Sequence, residues 1–243
     1  MEELPLTALL NKYFGGLALA LLNALHITPA HPKAPITNTV AMELLVFVLL
    51  LLFFLIVRSR LSVENPGGLQ HVVEGLHGFI QGQSNEIIGD HSEPYTPYLV
   101  SLFIFILVCN LIGLIPGFES PTADPSVPLG CAVISFIYYN LMGVRKHGPL
   151  HYALHFTGPV WWLAWLMLPI EIISHLARML SLTIRLFANM FAGDMVTLVF
   201  FSLVPLGVPV LFLGLHIGVS FLQAYIFVLL VTVYLAGAVE TAH

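Results

Sequence analysis

The residues best suited to chemistry lie in the last third of the chain. Glu171, Ser174, His175, Arg178, Ser181, Arg185 and Asn189 fall within about 120° of one another when wound at 100° per residue, a polar stripe along an otherwise apolar run. Asp194 lies nine residues past Arg185, a rotation of about 180°, so on a straight helix it points the opposite way. A second apolar run carries His216, Ser220 and Gln223 on one face. Between the runs stand Pro205, Gly207 and Pro209, the one strong turn signal. If the chain reverses there, residues whose numbers sum to about 410 face each other, which pairs Asp194 with His216 and brings Arg185 near Gln223. Two polar levels follow, separated by roughly 10 to 14 Å along the helix. One holds an acid and a histidine, the other a fixed cation and an amide.

The chemistry these types support is proton transfer. Carboxylates and imidazoles bind and release protons near neutral pH once burial and neighbours tune them. Arginine stays protonated, so it acts as a permanent positive barrier. The alternative is that the charges only neutralise one another, Arg178 with Glu171 and Arg185 with a lipid or a partner's acid. A charge at bilayer depth costs about 2.5 to 3.5 kcal/mol, so each needs a reason to be there.

The elements that hold these residues must be membrane helices. Of 243 residues, 58% are hydrophobic and 9% charged, against roughly 25% charged in a soluble domain. Eight Lys+Arg against thirteen Asp+Glu, a net charge of -5, argue against nucleic acid as a partner. Cys109 and Cys131 each sit in an apolar run and read as buried thiols, with no disulfide scaffold or cysteine metal site. A hydrocarbon core of about 30 Å needs about 20 helical residues. Val40 to Val57 is a first span, Tyr98 to Phe118 a second that Pro116 breaks near its end, and Val127 to Val144 a third. Val160 to Val204 would extend about 68 Å as one helix, too long to stand upright, and Pro205 to Val239 adds another long run. The expectation is an all-α integral membrane protein with about five transmembrane helices, the last two a long, strongly tilted hairpin.

Loop charge orients the spans. Arg58, Arg60, Arg145 and Lys146 mark the cytoplasmic side, while the loop from Glu119 to Ser126 has acids but no Lys or Arg and suits the outside. The N-terminus is then outside and the C-terminus cytoplasmic. Asn65 to His91 reads as an interfacial amphipathic helix, with Leu69, Val72, Val73, Leu76, Phe79 and Ile80 near helical spacing. Phe14 to Ile27 is apolar but short, and reads as an in-plane helix joined to the first span through Pro29, Pro32 and Pro35. Glu2 and Glu3 stand where a secretory signal carries basic residues. The chain thus divides into an outer N-terminal segment, 1–39, and a membrane domain, 40–243. Trp161, Trp162 and Trp165, at the inner entrance of the long run, suit an interfacial anchor.

The segment Ser181-Leu-Thr-Ile-Arg185-Leu-Phe-Ala-Asn189-Met-Phe-Ala-Gly193-Asp194 closely resembles the signature of subunit a of F-type ATP synthases. The resemblance extends to HIGVSFLQAYIFVLLVTVYLA, with His216 and Gln223, and to Asn110 in CNLIGLIP, and covers the chain from Val40 to its end. It implies a stator subunit of a bacterial inner membrane that works with a c-subunit ring and peripheral-stalk b subunits. Arg185 would be the essential arginine facing the ring carboxylate, with Gln223 its neighbour. Asn189, Asp194 and His216 would form the outer half-channel with Asn110, and Glu171, Ser174 and Ser181 the inner exit. Asp194 departs from the Glu frequent here in bacterial members, and its shorter side chain needs a water to reach His216. No cofactor is implied. No GxxxxGK[ST] motif occurs, so this chain carries the proton path and not the ATP site.

Two other readings compete. His175 and His216 on facing helices could ligate a haem, and His147, His151 and His155, spaced at four, could bind a metal, although Gly148 and Pro149 oppose a continuous helix there. A secondary transporter would normally show an internal repeat, and none is seen.

Overall fold

A computed structural model describes residues 4–24, 34–62, 67–89, 92–115, 118–149, 164–203 and 208–239. Pro29, Pro32, Pro116, His151, His155, Trp161, Trp162, Pro205 and Gly207 lie outside the described residues.

The described chain forms seven α-helices and one short 3-10 turn. In order they are α1 (Pro5–Ala24), α2 (Asn38–Ser59), α3 (Gly68–Ile88), α4 (Thr96–Ile112), the 3-10 turn Pro121–Ala123, α5 (Ser126–His147), α6 (Ala164–Leu203) and α7 (Val208–Val239). Five of them, α1, α2, α5, α6 and α7, are long and apolar enough to cross a membrane. The buried core is built from α4, α5, α6 and α7, around Phe103, Ile106, Leu186, Phe227 and Val231.

Local chemistry explains most of the boundaries. Thr37 caps α2 by accepting from the Val40 N–H. Gly89 and Gly148, at φ of 91° and 81°, follow α3 and α5 in a conformation that costs a glycine little. The helix α5 stops at His147, where Gly148 caps it. Cys109 and Cys131 are free and buried.

Three elements differ from the sequence expectation. The helix α1 starts at Pro5, well before the apolar stretch from Phe14, and its 20 residues reach about 30 Å. A proline at the first helical position has no intrahelical N–H bond to lose, so the helix starts there at little cost. Asn11 then ties α1 to the link before α2, donating to the Ile36 carbonyl at 3.1 Å and accepting from its N–H at 3.0 Å. Second, α4 ends at Ile112 and not near Phe118. A proline at 116 has no N–H to offer the Ile112 carbonyl, and Gly113 lies so close to Ser120 that a Cβ there would sit 2.7 Å from the Ser120 Cβ. Third, the stretch between α4 and α5 is no mere aqueous loop, since Ser120, Pro121 and Thr122 are buried against the bundle.

The amphipathic helix α3 docks through Ile80, Ser84 and Gln83, whose side chain accepts from the Tyr225 hydroxyl at 2.9 Å. Leu69, Val72 and Phe79 stay exposed, an apolar edge suited to a lipid interface. At one end of the bundle Asn38 donates to Glu119 and Thr39 to Asp124. The basic ends of α2 and α5 lie at the far ends of those helices. The 40 residues of α6 and 32 of α7 extend about 60 and 48 Å.

Candidate functional site

The hairpin of α6 and α7 carries the polar levels. His216, 4% exposed, turns its Nε2 toward Asp194 Oδ1 at 3.7 Å, within ion-pair range but too long for a hydrogen bond. The Nε2 has no hydrogen-bond partner among the described residues. This close approach requires Gly193, because a Cβ there would lie 2.9 Å from His216 Nδ1. Beside the pair opens a cavity of about 240 Å³, lined by Asn189, Gly193, Val196, Thr197, Phe212 and His216 among others. It has ample room for the water that a shortened acid needs.

One level further, Asn189 Nδ2 donates to Gln223 Oε1 at 2.7 Å. Gln223 is 1% exposed, and its own Nε2 is without a hydrogen-bond partner among the described residues. The sequence expectation set Gln223 beside Arg185, and the structure bonds it one turn along, to Asn189. Arg185 instead bonds along its own helix, Nη2 to Ser181 Oγ at 3.5 Å, and both side chains are exposed. Arg185 makes no ion pair among the described residues. Ile184, Ala188 and Ala192 on α6 are exposed with it, and on α7 Gly214, Gly218 and Leu222 are exposed as well, with nothing within 4 Å of a Cβ at either glycine.

Asn110 is fully buried and its amide is occupied at both ends. Its Nδ2 donates to the Ser220 carbonyl at 3.2 Å, and its Oδ1 accepts from Thr122 Oγ1 at 2.7 Å. Thr122 shares a hydrogen bond with Ser120, which donates to the Cys109 carbonyl at 3.1 Å. Ser120 and Thr122 escaped the sequence reading, their only signal being short hydroxyls a few residues past Asn110.

At the other end of α6 the stripe turns into the bundle, where Glu171, Ser174, His175 and Arg178 are all half-buried. Glu171 Oε1 lies 3.4 Å from His175 Nε2, one turn along, and not against Arg178. Arg178 stacks its guanidinium 5.3 Å from the centre of the Tyr234 ring. His175 Nδ1 and the Tyr139 hydroxyl are 2.7 Å apart. Tyr139 and Tyr234 were also missed, being aromatics in apolar runs. Trp165 is 76% exposed at the start of α6.

The haem reading fails on this geometry. His216 is level with Asp194, so His175 lies about 28 Å away along the helix, too far to share one iron. Among the described residues no cluster of three metal-ligating side chains occurs.

The family model described as ATP synthase A chain matches residues 40–236. The chain belongs to this family. It is 57% identical over 242 residues to ATP synthase subunit a of Koribacter versatilis, covering 100% of this chain and 99% of that one. It is 51% identical to the protein of that name from Solibacter usitatus, over 96% of this chain and 99% of the relative. With that of Geobacter sulfurreducens the figures are 44%, 92% and 94%. The family match contains every residue of the two polar levels and the inner cluster, and leaves α1 outside.

Proposed function

We propose that this chain is the proton-conducting stator subunit in the membrane sector of a rotary ATP synthase, with two offset half-channels serving the carboxylates of a c-subunit ring. The observation that carries the reading is Arg185, exposed on an apolar helix with no acid of this chain paired to it among the described residues. A permanent cation so placed in the membrane needs a partner carboxylate from outside the chain. The open face of α6 and α7 is where a ring of helices can approach closely.

A proton enters through the cavity at the Asp194 and His216 level and neutralises a ring carboxylate, which can then turn into lipid without an exposed charge. The Asn189 and Gln223 bond stands between this cavity and Arg185 as a neutral partition. When a carboxyl completes the circuit and nears Arg185, attraction to the guanidinium favours ionisation, and its proton leaves by Ser181, Ser174 and Glu171. Each charge moved down 100 mV supplies about 2.3 kcal/mol, which drives ATP synthesis elsewhere in the complex. Asn110, saturated by Ser220 and Thr122, acts here by holding α7 in place.

The relatives are bacterial proteins, and the reading places this chain in a bacterial inner membrane with peripheral-stalk b subunits as further partners. The N-terminus lies outside and the C-terminus in the cytoplasm, with the basic ends of α2 and α5 inward. The hairpin α6 and α7 is strongly tilted, because 60 Å of helix exceeds the hydrocarbon core about twofold. The test is Arg185→Ala in the whole complex in vesicles. Loss of ATP synthesis, with passive proton leak kept or increased, is expected, and unchanged synthesis overturns the reading.

A further inference from the structure

We infer that His175 is a proton-carrying residue of the inner exit and that Tyr139, on a different helix, links it to an internal water site. The inference rests on the proposed stator function and adds two residues to its inner path. The imidazole bridges two elements. Its Nδ1 is 2.7 Å from the hydroxyl of Tyr139 on α5, and its Nε2 is 3.4 Å from the carboxylate of Glu171, one turn nearer the start of α6. Both ring nitrogens are thus directed at groups that exchange protons, the arrangement a relay needs and a packing histidine does not.

The two ends of the bridge differ in exposure. Tyr139 is 3% exposed, while the Glu171 side chain is 40% exposed. Behind Tyr139, a void of about 10 Å³ is bordered by Ser135, Tyr139, Arg178 and Tyr234, among others. That is close to the space one water needs, and hydroxyl and guanidinium groups border it. The path therefore runs from a water-sized void, through phenol and imidazole, to the more exposed carboxylate of Glu171. It contrasts with the outer level, where His216 and Asp194 stand apart beside a cavity of about 240 Å³. The outer entrance is a cleft with room for water, and the inner exit is a chain of side chains in close contact.

The proton step balances within the chain. His175 with its proton on Nε2 accepts one at Nδ1 from the Tyr139 hydroxyl, and the water beside Tyr139, which has taken up the proton released at the c-ring carboxyl, reprotonates the phenol and is left neutral. The Nε2 proton passes to Glu171 and on to the inner solution. One proton has entered and one has left, and the ring returns to its starting tautomer by exchange with inner water, gaining a proton at Nε2 and losing one from Nδ1. Among the described residues, charged and titratable groups facing the ring include Glu171 and Arg178 on its own helix, Tyr139 on α5 and, across Arg178, Tyr234 on α7.

The test uses the whole complex in vesicles and measures ATP-driven proton pumping against the pH of the inner side, for wild type, His175→Gln, Tyr139→Phe and Arg185→Ala. Glutamine keeps hydrogen-bonding capacity but does not titrate. A positioned proton-transfer group contributes roughly 10² to 10⁴-fold, and inner water can partly replace it, so a loss of about tenfold is expected for His175→Gln. Any limb of the profile that His175 contributes should vanish with it. Tyr139→Phe should slow pumping yet keep that limb, and adding Glu171→Gln to His175→Gln should cost little more, because the groups act in series. Wild-type rates and an unchanged profile in both single variants overturn the inference. Where His175→Gln reduces assembly, Tyr139→Phe decides alone, since it keeps the ring and its packing. If Arg185→Ala also pumps normally, the stator reading itself has failed; if Arg185→Ala is inactive, only the relay has.

Discussion

Gly193→Ala probes the outer level with one methyl group. Built onto the backbone, the new Cβ would lie 2.9 Å from His216 Nδ1 and 3.0 Å from Cε1, while ordinary contact begins near 3.4 Å. The imidazole must withdraw by about 0.5 Å, and it is buried, so its neighbours must move too. Overpacking of this kind costs about 1 to 3 kcal/mol. Gly193 and Asp194 are adjacent, so a retreat from one is largely a retreat from the other. The 3.7 Å gap then opens toward about 4.2 Å, beyond ion-pair range. Misplacement by about 1 Å can cost 10²-fold in rate, which puts half that displacement near tenfold. The assay is passive proton conduction through the membrane sector in vesicles after removal of the ATP-hydrolysing head, alongside the amount of complex assembled. Gly130→Ala is the control, since no atom lies within 4 Å of its added methyl. If the two variants conduct equally and assemble equally, the steric argument is refuted.

Two further substitutions test the packing that supports the site. Asn189→Ala strands the buried Gln223 Oε1, at about 1 to 3 kcal/mol. Thermal denaturation of the complex should show the single variant less stable than Asn189→Ala combined with Gln223→Leu, and the reverse order would show that the amide bond carries little of the stability. Gly113→Ala sets a methyl 2.7 Å from Ser120 Cβ and 2.9 Å from its backbone nitrogen, and backbone cannot swing aside as a side chain does. The expected result is poor assembly seen on gels of solubilised membranes; normal yield would mean that the 118–125 segment can shift freely.

The sequence carried the hairpin register but not its details. Folding the chain about Pro205 paired Asp194 with His216, and the contact of Ser220 with Met190 Sδ at 4.0 Å obeys the same sum of 410. For Arg185 and Gln223, summing to 408, the hydrogen bonds run elsewhere, Gln223 to Asn189 one turn along the same stripe and Arg185 to Ser181 on its own helix. Periodicity places a residue on a face; it does not choose between neighbours on that face. The proline at 116 signals that α4 must end, but its end as early as Ile112 also involves a close approach between Gly113 and Ser120, a tertiary contact with no local signal. Tyr139 was hidden for a related reason, since an aromatic in an apolar span reads as packing until a partner is found for its hydroxyl. Composition, by contrast, made the helices legible, because a bilayer accepts few alternatives.

The bond from Asn110 to the Ser220 carbonyl reaches α7 between His216 and Gln223, about 6 Å from one and 4.5 Å from the other along the axis. A stator in the proposed role is pushed sideways each time the ring advances, and a long helix under such a load tends to slide along its neighbour. Clamped at Ser220, α7 pivots about a point between its two polar levels, so sliding is resisted where it would alter their separation. Behind the clamp stand Thr122 and Ser120, which join the connection between α4 and α5 to the same anchor. These hydroxyls carry no proton in the proposed cycle. They fix the distance between entrance and barrier against mechanical recoil.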